Sequence, residues 1–410
     1  MSRIDDLIAK HCPNGVRFIE LHDLFDTKNG YTPSRSKLEL WEDGTIPWFR
    51  MEDIRTNGAI LADSLEHVTD KAIQSGRVFP AGTLIVATSA TIGVHALITR
   101  PFLCNQRFTA LILKKDCSEI FRVKFLYYYC FVLADWCTKN TTQSSFASVD
   151  MKRFRLFKFP IPPLEVQDEI VRILDSFTEL EAELEAELEA RRKQYEYYRD
   201  SLFRSYASRP DTKVIQIKDL GEWYSGGTPN KSRASFWEGE IPWFSPKDLK
   251  QTQLSDSIDH ISHEAARDRG LKVHSSNTIL VVTRSGILKH TLPVSILLNE
   301  GTANQDIKAL RTNEHVLPKY ALYVLQNYAL EILRKCHKAG GSVDSIETKQ
   351  FFAFPVPLVS RVEQERIVAV LDKFDALVND ISIGLPAEIE TRRKQYEYYR
   401  DKLLTFEEAQ

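Results

Sequence analysis

The sequence predicts an α/β or α+β fold, built as two tandem and similar globular blocks, each followed by a long helix. Three observations predict it. The decapeptide RRKQYEYYRD, from Arg191 to Asp200, recurs unchanged from Arg392 to Asp401. Shorter matches run in the same order through both halves: Thr32-Pro33-Ser34 with Thr228-Pro229-Asn230, Ile46-Pro47-Trp48-Phe49 with Ile241-Pro242-Trp243-Phe244, Asn105-Gln106 with Asn304-Gln305, and Phe159-Pro160-Ile161-Pro162 with Phe354-Pro355-Val356-Pro357. Each block also ends in prolines that lead into an amphipathic run. A period of about 200 residues is domain-sized, so this is a tandem duplication and not a solenoid.

The elements of each block follow from short apolar, β-branched runs bounded by Gly and Pro turns. Strands are expected at Thr83–Thr88, Val94–Ile98 and Phe108–Leu113, and again at Thr278–Thr283, Leu292–Leu298 and Ile307–Leu310. Helices are expected at Phe125–Trp136 and Lys319–Leu333. Pro162-Pro163 suits the start of the first long helix, because the first turn leaves its N–H groups unpaired. Ser360 and Glu363 form the capping-box pattern at the second. One-face stripes then run Ile170, Ile173, Leu174, Phe177, Leu180, Leu184, Leu188 and Ile367, Val370, Leu371, Phe374, Leu377, Ile381. From Leu164 to Arg204 the helix would span roughly 60 Å. Gly384 and Pro386 predict a break in the second helix. The expected boundaries are 1–160 and 206–355 for the blocks, with 161–205 and 356–410 for the helices. Strand order is not deducible at this level.

Between Leu180 and Arg191 the sequence repeats as tetrads, Leu-Glu-Ala-Glu, with leucines at i, i+4 and i+8. Such a stripe drifts about 40° per tetrad, so it faces a partner over only a few turns. It reads as a solvated acidic helix or as a spacer whose length changes by about 6 Å per tetrad. From Asp175 to Arg191 is 16 positions and from Asp372 to Arg392 is 20, a difference of one tetrad.

Composition bounds the function. A chain of 410 residues exceeds one ordinary core. No run of eighteen apolar residues occurs, and acids stand where a signal peptide would be apolar, so a cytoplasmic location is expected. The six cysteines form no CxxC pair, which argues against a zinc ribbon or redox motif. His260 and His263 lack a ligand cluster, so no metal site is expected. The net charge of −2 hides a segregation. Residues 1–160 carry 21 basic and 17 acidic groups, and 206–355 carry 19 and 16. The helical segments 161–205 and 356–410 are acidic, with 6 against 12 and 8 against 11. Local potential governs phosphate attraction, so the two blocks suit DNA and the acidic helices suit protein. There is no GxxxxGK[ST] phosphate loop, no GxGxxG and no Asn/Asp-Pro-Pro-aromatic motif. Asp344, Glu347 and Lys349 are too tightly spaced to match a nuclease pattern. A chain without catalytic residues is expected.

Two blocks, each followed by a Pro-rich start, a Gln-containing amphipathic helix (Glu165–Phe177; Glu363–Phe374) and RRKQYEYYRD, resemble the specificity subunit of type I restriction-modification systems. The resemblance covers nearly the whole chain. It implies two target recognition domains, each reading half of a split DNA sequence. It implies helices paired as an antiparallel coiled coil with pseudo-two-fold symmetry, and docking of two methyltransferase subunits and of restriction subunits. Those partners would use S-adenosylmethionine, ATP and Mg; this chain would hold no cofactor. The helix positions Ile170, Leu174, Phe177, Leu184, Tyr195, Ile367, Leu371, Phe374 and Tyr396 are the expected partner-docking residues.

Base and phosphate contacts need polar and cationic side chains in exposed loops. The first candidates are the Gly-containing loops with Tyr31, Thr32, Ser34, Arg35 and Lys37, and with Thr228, Asn230, Lys231 and Arg233. Each has a surface turn as its alternative reading. Next come Arg50, and Ser245 with Lys247, after each Ile-Pro-Trp-Phe; Trp48 and Trp243 themselves read as core. Thr88-Ser89 and Arg284-Ser285 differ between halves inside a shared frame, as domains reading different half-sites should. Gln106 and Gln305 match across halves, which points to structure, and join the set on weaker grounds. The polar runs Thr141–Ser145 and Gly340–Ser342 are further loop candidates. A two-domain coiled-coil adaptor without DNA binding, and a stand-alone methyltransferase or nuclease, are the other readings.

Overall fold

The computed structural model describes residues 3–73, 78–142, 147–338, 343–379 and 384–409. It divides into two units: Met1–Ala182 with Arg392–Gln410, and Glu183–Thr391. The division does not follow linear order. The helix Leu164–Ala207 gives its first half to one unit and its second half to the other. The last helix, Gly384–Leu403, is shared in the same way.

Each unit is a mixed α/β domain with the same topology. In the first, a five-stranded sheet has the order Phe25–Asn29, Phe108–Leu113, Thr83–Ala87, His95–Ile98, Ile60–Leu61. In the second the order is Gly221–Ser225, Ile307–Thr312, Ile279–Val282, Val294–Leu297, Gln253–Leu254. The inner pairs are antiparallel and the last pair is parallel. A three-stranded sheet centred on Ile46–Phe49, or on Ile241–Phe244, packs beside it. The central strands are apolar on both faces and wholly buried, as β-branched runs require. Strand Arg17–Glu20 pairs with Lys158–Ile161, and Lys213–Gln216 with Pro355–Leu358, so each domain begins and ends at one place, beside its long helix.

The expected strands are all present. The helix Val123–Lys139 extends the expected one by a residue or more at each end. The second-half counterpart differs: Pro318–Asn327 and Ala329–Cys336 are separate helices. Tyr328 leaves helical geometry between them, packs its ring on Phe354 at 6.0 Å, and redirects the chain toward the hairpin of His337–Lys338 and Ser345–Ile346. The break in the last helical segment is also present: Arg361–Asn379 ends before Gly384, whose φ of +75° opens the next helix. The capping pattern is half realised. Ser360 Oγ accepts from the Glu363 N–H, but the Glu363 carboxylate accepts instead from the Tyr206 hydroxyl at 2.5 Å and pairs with Arg366 at 2.7 Å.

One buried glutamine locks each long helix to its domain. Gln167 Oε1 accepts from the Arg122 N–H, while Nε2 donates to the carbonyls of Ile120 and Pro162, all at 2.8 Å. Gln364 does the same with the Leu317 N–H and the carbonyls of His315 and Val359. Two turns on, Asp175 accepts from Tyr128 and Lys124, and Asp372 from Tyr323 and Lys319. The decapeptides complete the units crosswise. Phe177 stacks on Tyr399 and contacts Tyr396, and Glu181 pairs with Arg393 at 2.6 Å. In the other unit Phe374 stacks on Tyr195 and Tyr198, with Tyr206 reaching back to Glu363. In both units the rising and falling residue numbers show antiparallel packing.

This packing corrects the expected docking residues. Ile170, Leu174, Ile367 and Leu371 are 0–1% exposed, and Tyr195 is 4% exposed. All five lie in the cores of their own units, and Leu184 is also buried. Phe177, Phe374 and Tyr396 are half-buried in the ring contacts above. An amphipathic stripe must be covered; here the chain itself covers Ile170, Leu174, Leu184, Tyr195, Ile367 and Leu371, whereas Val370 and Leu377 of the same stripes stay exposed.

Each core also encloses a histidine. His95 lies against Tyr127 and Phe131, and His274 against Tyr224. Burial pushes both pKa values down to about 4 from an ordinary 6.5; Arg400 adds to this for His95 and Lys272 for His274. Below pH 6.5 the unfolded chain takes up protons that the folded one refuses until about pH 4. Stability is therefore full above 6.5 and lost as pH falls, by about 2 kcal/mol per histidine between about pH 7 and 5. Urea melts at the two pH values should show a smaller difference for His95→Phe than for the parent chain.

Candidate nucleic-acid interface

In each unit one turn gathers the expected loops. After Ile46–Phe49, the neighbouring strand Leu103–Cys104 runs parallel to it and turns through Asn105-Gln106-Arg107 into the large sheet. The Asn105 N–H donates to the Phe49 carbonyl, and its side chain accepts from the Arg107 N–H, closing an Asx turn. Asn304 repeats this with Phe244 and Asp306. The asparagines are therefore structural, and the glutamines beside them are exposed.

The first loop is fastened to this turn. Tyr31 N–H donates to the Cys104 carbonyl, and Gly227 N–H to that of Ala303. A Cβ on Gly30 would lie 2.2 Å from the Cys104 oxygen, and one on Gly226 2.1 Å from that of Ala303, so only glycine permits the approach. Thr32 Oγ1 donates to Gln106 Oε1, and Thr228 Oγ1 to Gln305 Oε1, both at 2.5 Å. The loop after the first central strand joins from the other side. Thr88 N–H donates to the Arg107 carbonyl, and its own carbonyl accepts from Val149 of the hairpin Thr141–Thr142 and Ser148–Val149. In the second unit Thr283 and Arg284 donate to the Asp306 carbonyl, and Ile346 donates to Thr283. Ser89 bridges Ser148, and Arg284 bridges Ser345.

Not every expected residue is free to meet a ligand. Trp48 and Trp243 are core, as expected, and donate to the carbonyls of Tyr31 and Gly227. Ser245 is a correction: it is buried and its hydroxyl is spent on Asp248. Ser285 Oγ caps the turn at Ile287, and Thr88 Oγ1 meets Thr109. Arg35 and Arg50 converge on Glu66, at 2.6 and 3.1 Å, with Arg35 stacked 3.7 Å over Trp41. Arg233 pairs with Glu264 and Lys247 with Asp259. The exposed pairs Arg233–Glu264 and Lys247–Asp259 are worth under about 1 kcal/mol, so little opposes their exchange for phosphate; Arg50–Glu66 is half-buried. Ser34 bonds Ser36, and Asn230 closes its own turn onto Ser232. Lys37 and Lys231 are exposed and make no ion pair among the described residues. Residues 143–145 of the run Thr141–Ser145, and all of Gly340–Ser342, lie outside the described residues.

Sequence reasoning missed Arg107. It is exposed at the centre of the hub and makes no ion pair among the described residues, whereas its counterpart Asp306 accepts from Asn304 Nδ2. The signal was present: an identical Asn-Gln is followed by residues of opposite charge. All six cysteines are free and buried, so none offers a reactive thiol. Among the described residues no helix is long and apolar enough to cross a membrane.

Two copies of one domain, each presenting a polar hub with shared framework and divergent tips, define a tandem recognition-domain protein. The family description "type I restriction modification DNA specificity domain" matches residues 13–190 and again 210–391. The chain is 38% identical to the EcoprrI specificity subunit of Escherichia coli, covering 90% of this chain and 89% of that one. It is 44% identical to the EcoR124I/EcoR124II specificity subunit of Escherichia coli, over 69% and 71%. A solved chain from the type I restriction-modification system shares the fold at TM-score 0.64 and 17% identity, covering 96% of this chain and 98% of that one. The chain belongs to the specificity subunits of type I restriction-modification systems, and as such is a non-catalytic subunit with two DNA specificity domains.

Proposed function

We propose that each unit reads one half of a bipartite duplex target through its own hub, and that the helices carry two methyltransferase subunits and, where present, restriction subunits. The partners supply methylation or cleavage with S-adenosylmethionine, ATP and Mg, in the cytoplasm. One observation carries this reading: the two hubs share the same backbone bonds and the residues Gly30, Thr32, Asn105 and Gln106 (Gly226, Thr228, Asn304 and Gln305), and diverge at the tips, Arg107 against Asp306 and Ser89 against Arg284 and Ser285. A common frame with different tips is what two half-sites require. With Ile170, Leu174, Ile367 and Leu371 consumed internally, the docking surface consists of exposed helix positions such as Val370, Leu377, Tyr197, Tyr198, Tyr398 and Tyr399.

The test is duplex binding by the full chain with its methyltransferase partners, titrated against salt. Selective binding that weakens steeply with salt is expected. Arg107→Ala should relax discrimination in one half-site only, by about 1–3 kcal/mol for one base pair, and leave the other half-site unchanged. Equal binding to every duplex would favour a plain adaptor.

A further inference from the structure

We propose that Gln106 and Gln305 are sequence-independent phosphate anchors, held in a donor-outward orientation by Thr32 and Thr228. The proposal rests on the DNA-reading function above. In both units the threonine hydroxyl donates to the glutamine carbonyl oxygen at 2.5 Å, while the glutamine side chain stays exposed. Holding Oε1 inward turns Nε2 outward, and Nε2 has no protein partner in either unit among the described residues. The clip thus leaves both amide N–H donors unclaimed while its oxygen is already engaged by the threonine. Bidentate reading of adenine needs both ends of the amide, so this orientation disfavours it. A phosphate oxygen needs only donors.

Identity between the units points the same way. The tips differ in charge, yet Gly30, Thr32, Pro33, Asn105 and Gln106 reappear as Gly226, Thr228, Pro229, Asn304 and Gln305. A side chain that reads bases should differ between domains with different half-sites. One that grips the backbone should not, because phosphates repeat at every step. The clip is also rigid. The glycines press on the turn carbonyls and the asparagines close the turn, so little side-chain freedom is lost on binding.

The experiment measures duplex affinity of the chain with its methyltransferase partners, for a target and an unrelated duplex. Gln106→Ala and Gln305→Ala should each weaken both duplexes by about tenfold, leaving the ratio between them unchanged. The slope of log affinity against log salt should not move, because a neutral amide displaces no counterion. Thr32→Val should lose less than Gln106→Ala, and Thr32→Ser should restore parent affinity. Melting temperatures should stay at the parent value for the glutamine variants. Unchanged affinity, a loss confined to the target duplex, or a loss that tracks a fall in melting temperature would each overturn the anchor while leaving the DNA-reading function standing. Failure of the unsubstituted assembly to bind any duplex would overturn both.

Discussion

Deleting Leu184–Glu187 is expected to change the number of base pairs between the two half-sites and to leave both half-site sequences as they were. The four residues lie where the helix Leu164–Ala207 passes from the first unit to the second. Apart from Leu184 they are exposed or half-exposed, and Glu187 makes only an exposed i,i+4 pair with Arg191. The hydrogen bonds of Gln167 and Asp175 precede the deletion, and the core residues Tyr195 and Phe203 follow it. Four residues shorten a helix by about 6 Å and turn it by only about 40° beyond a full circle, so the following stripe keeps roughly its facing. Six ångströms is about two base-pair steps of ~3.4 Å. Removing two residues instead would turn the stripe by about 160° and should abolish activity. Methylation mapping of genomic DNA reads the result; altered half-sites in the four-residue deletion would refute the division of labour.

Gln167→Leu should cost the first unit about 3 kcal/mol or more of stability, and Gln364→Leu the second unit a similar amount. Each glutamine is at most 1% exposed and satisfies one N–H and two carbonyls, in part-buried or buried bonds. Leucine fills the volume and leaves all three groups unpaired, the costly side of the hydrogen-bond balance. Chemical denaturation followed by fluorescence of the tryptophans in each unit measures it. A loss below about 1 kcal/mol would show that the helix is held by its apolar stripe alone.

Much of this was legible because the signals are local or periodic. Strands such as Thr83–Ala87 and Ile279–Val282 announce themselves by β-branched runs, and the break before Gly384 by its Gly and Pro. Part of the site was legible too: Thr32, Gln106, Thr228 and Gln305 were singled out as separate matches. That they touch was not, since 74 and 77 residues separate the partners. The burial of Ser245 is not legible, because a hydroxyl after an exposed-looking turn gives no sign of a carboxylate three residues on folding back to cap it. The cover of the helix stripes is illegible for a related reason. Periodicity says that Ile170 and Leu371 must be covered, and is silent about what covers them.

By itself the sequence determined that there are two domains, where their strands and helices run, that the blocks are basic and the rods acidic, and that no catalytic motif is carried. Only the tertiary structure decided which decapeptide completes which domain. The copies at 191–200 and 392–401 are identical, so nothing local distinguishes them. In the second unit the helix runs on through a short link into strand Lys213–Gln216. In the first unit the segment after the helix is joined to the domain by the bonds of Val16 with Glu407 and Ala409. Long-range packing and chain connectivity make that choice, and neither is written in any window of residues short enough to read.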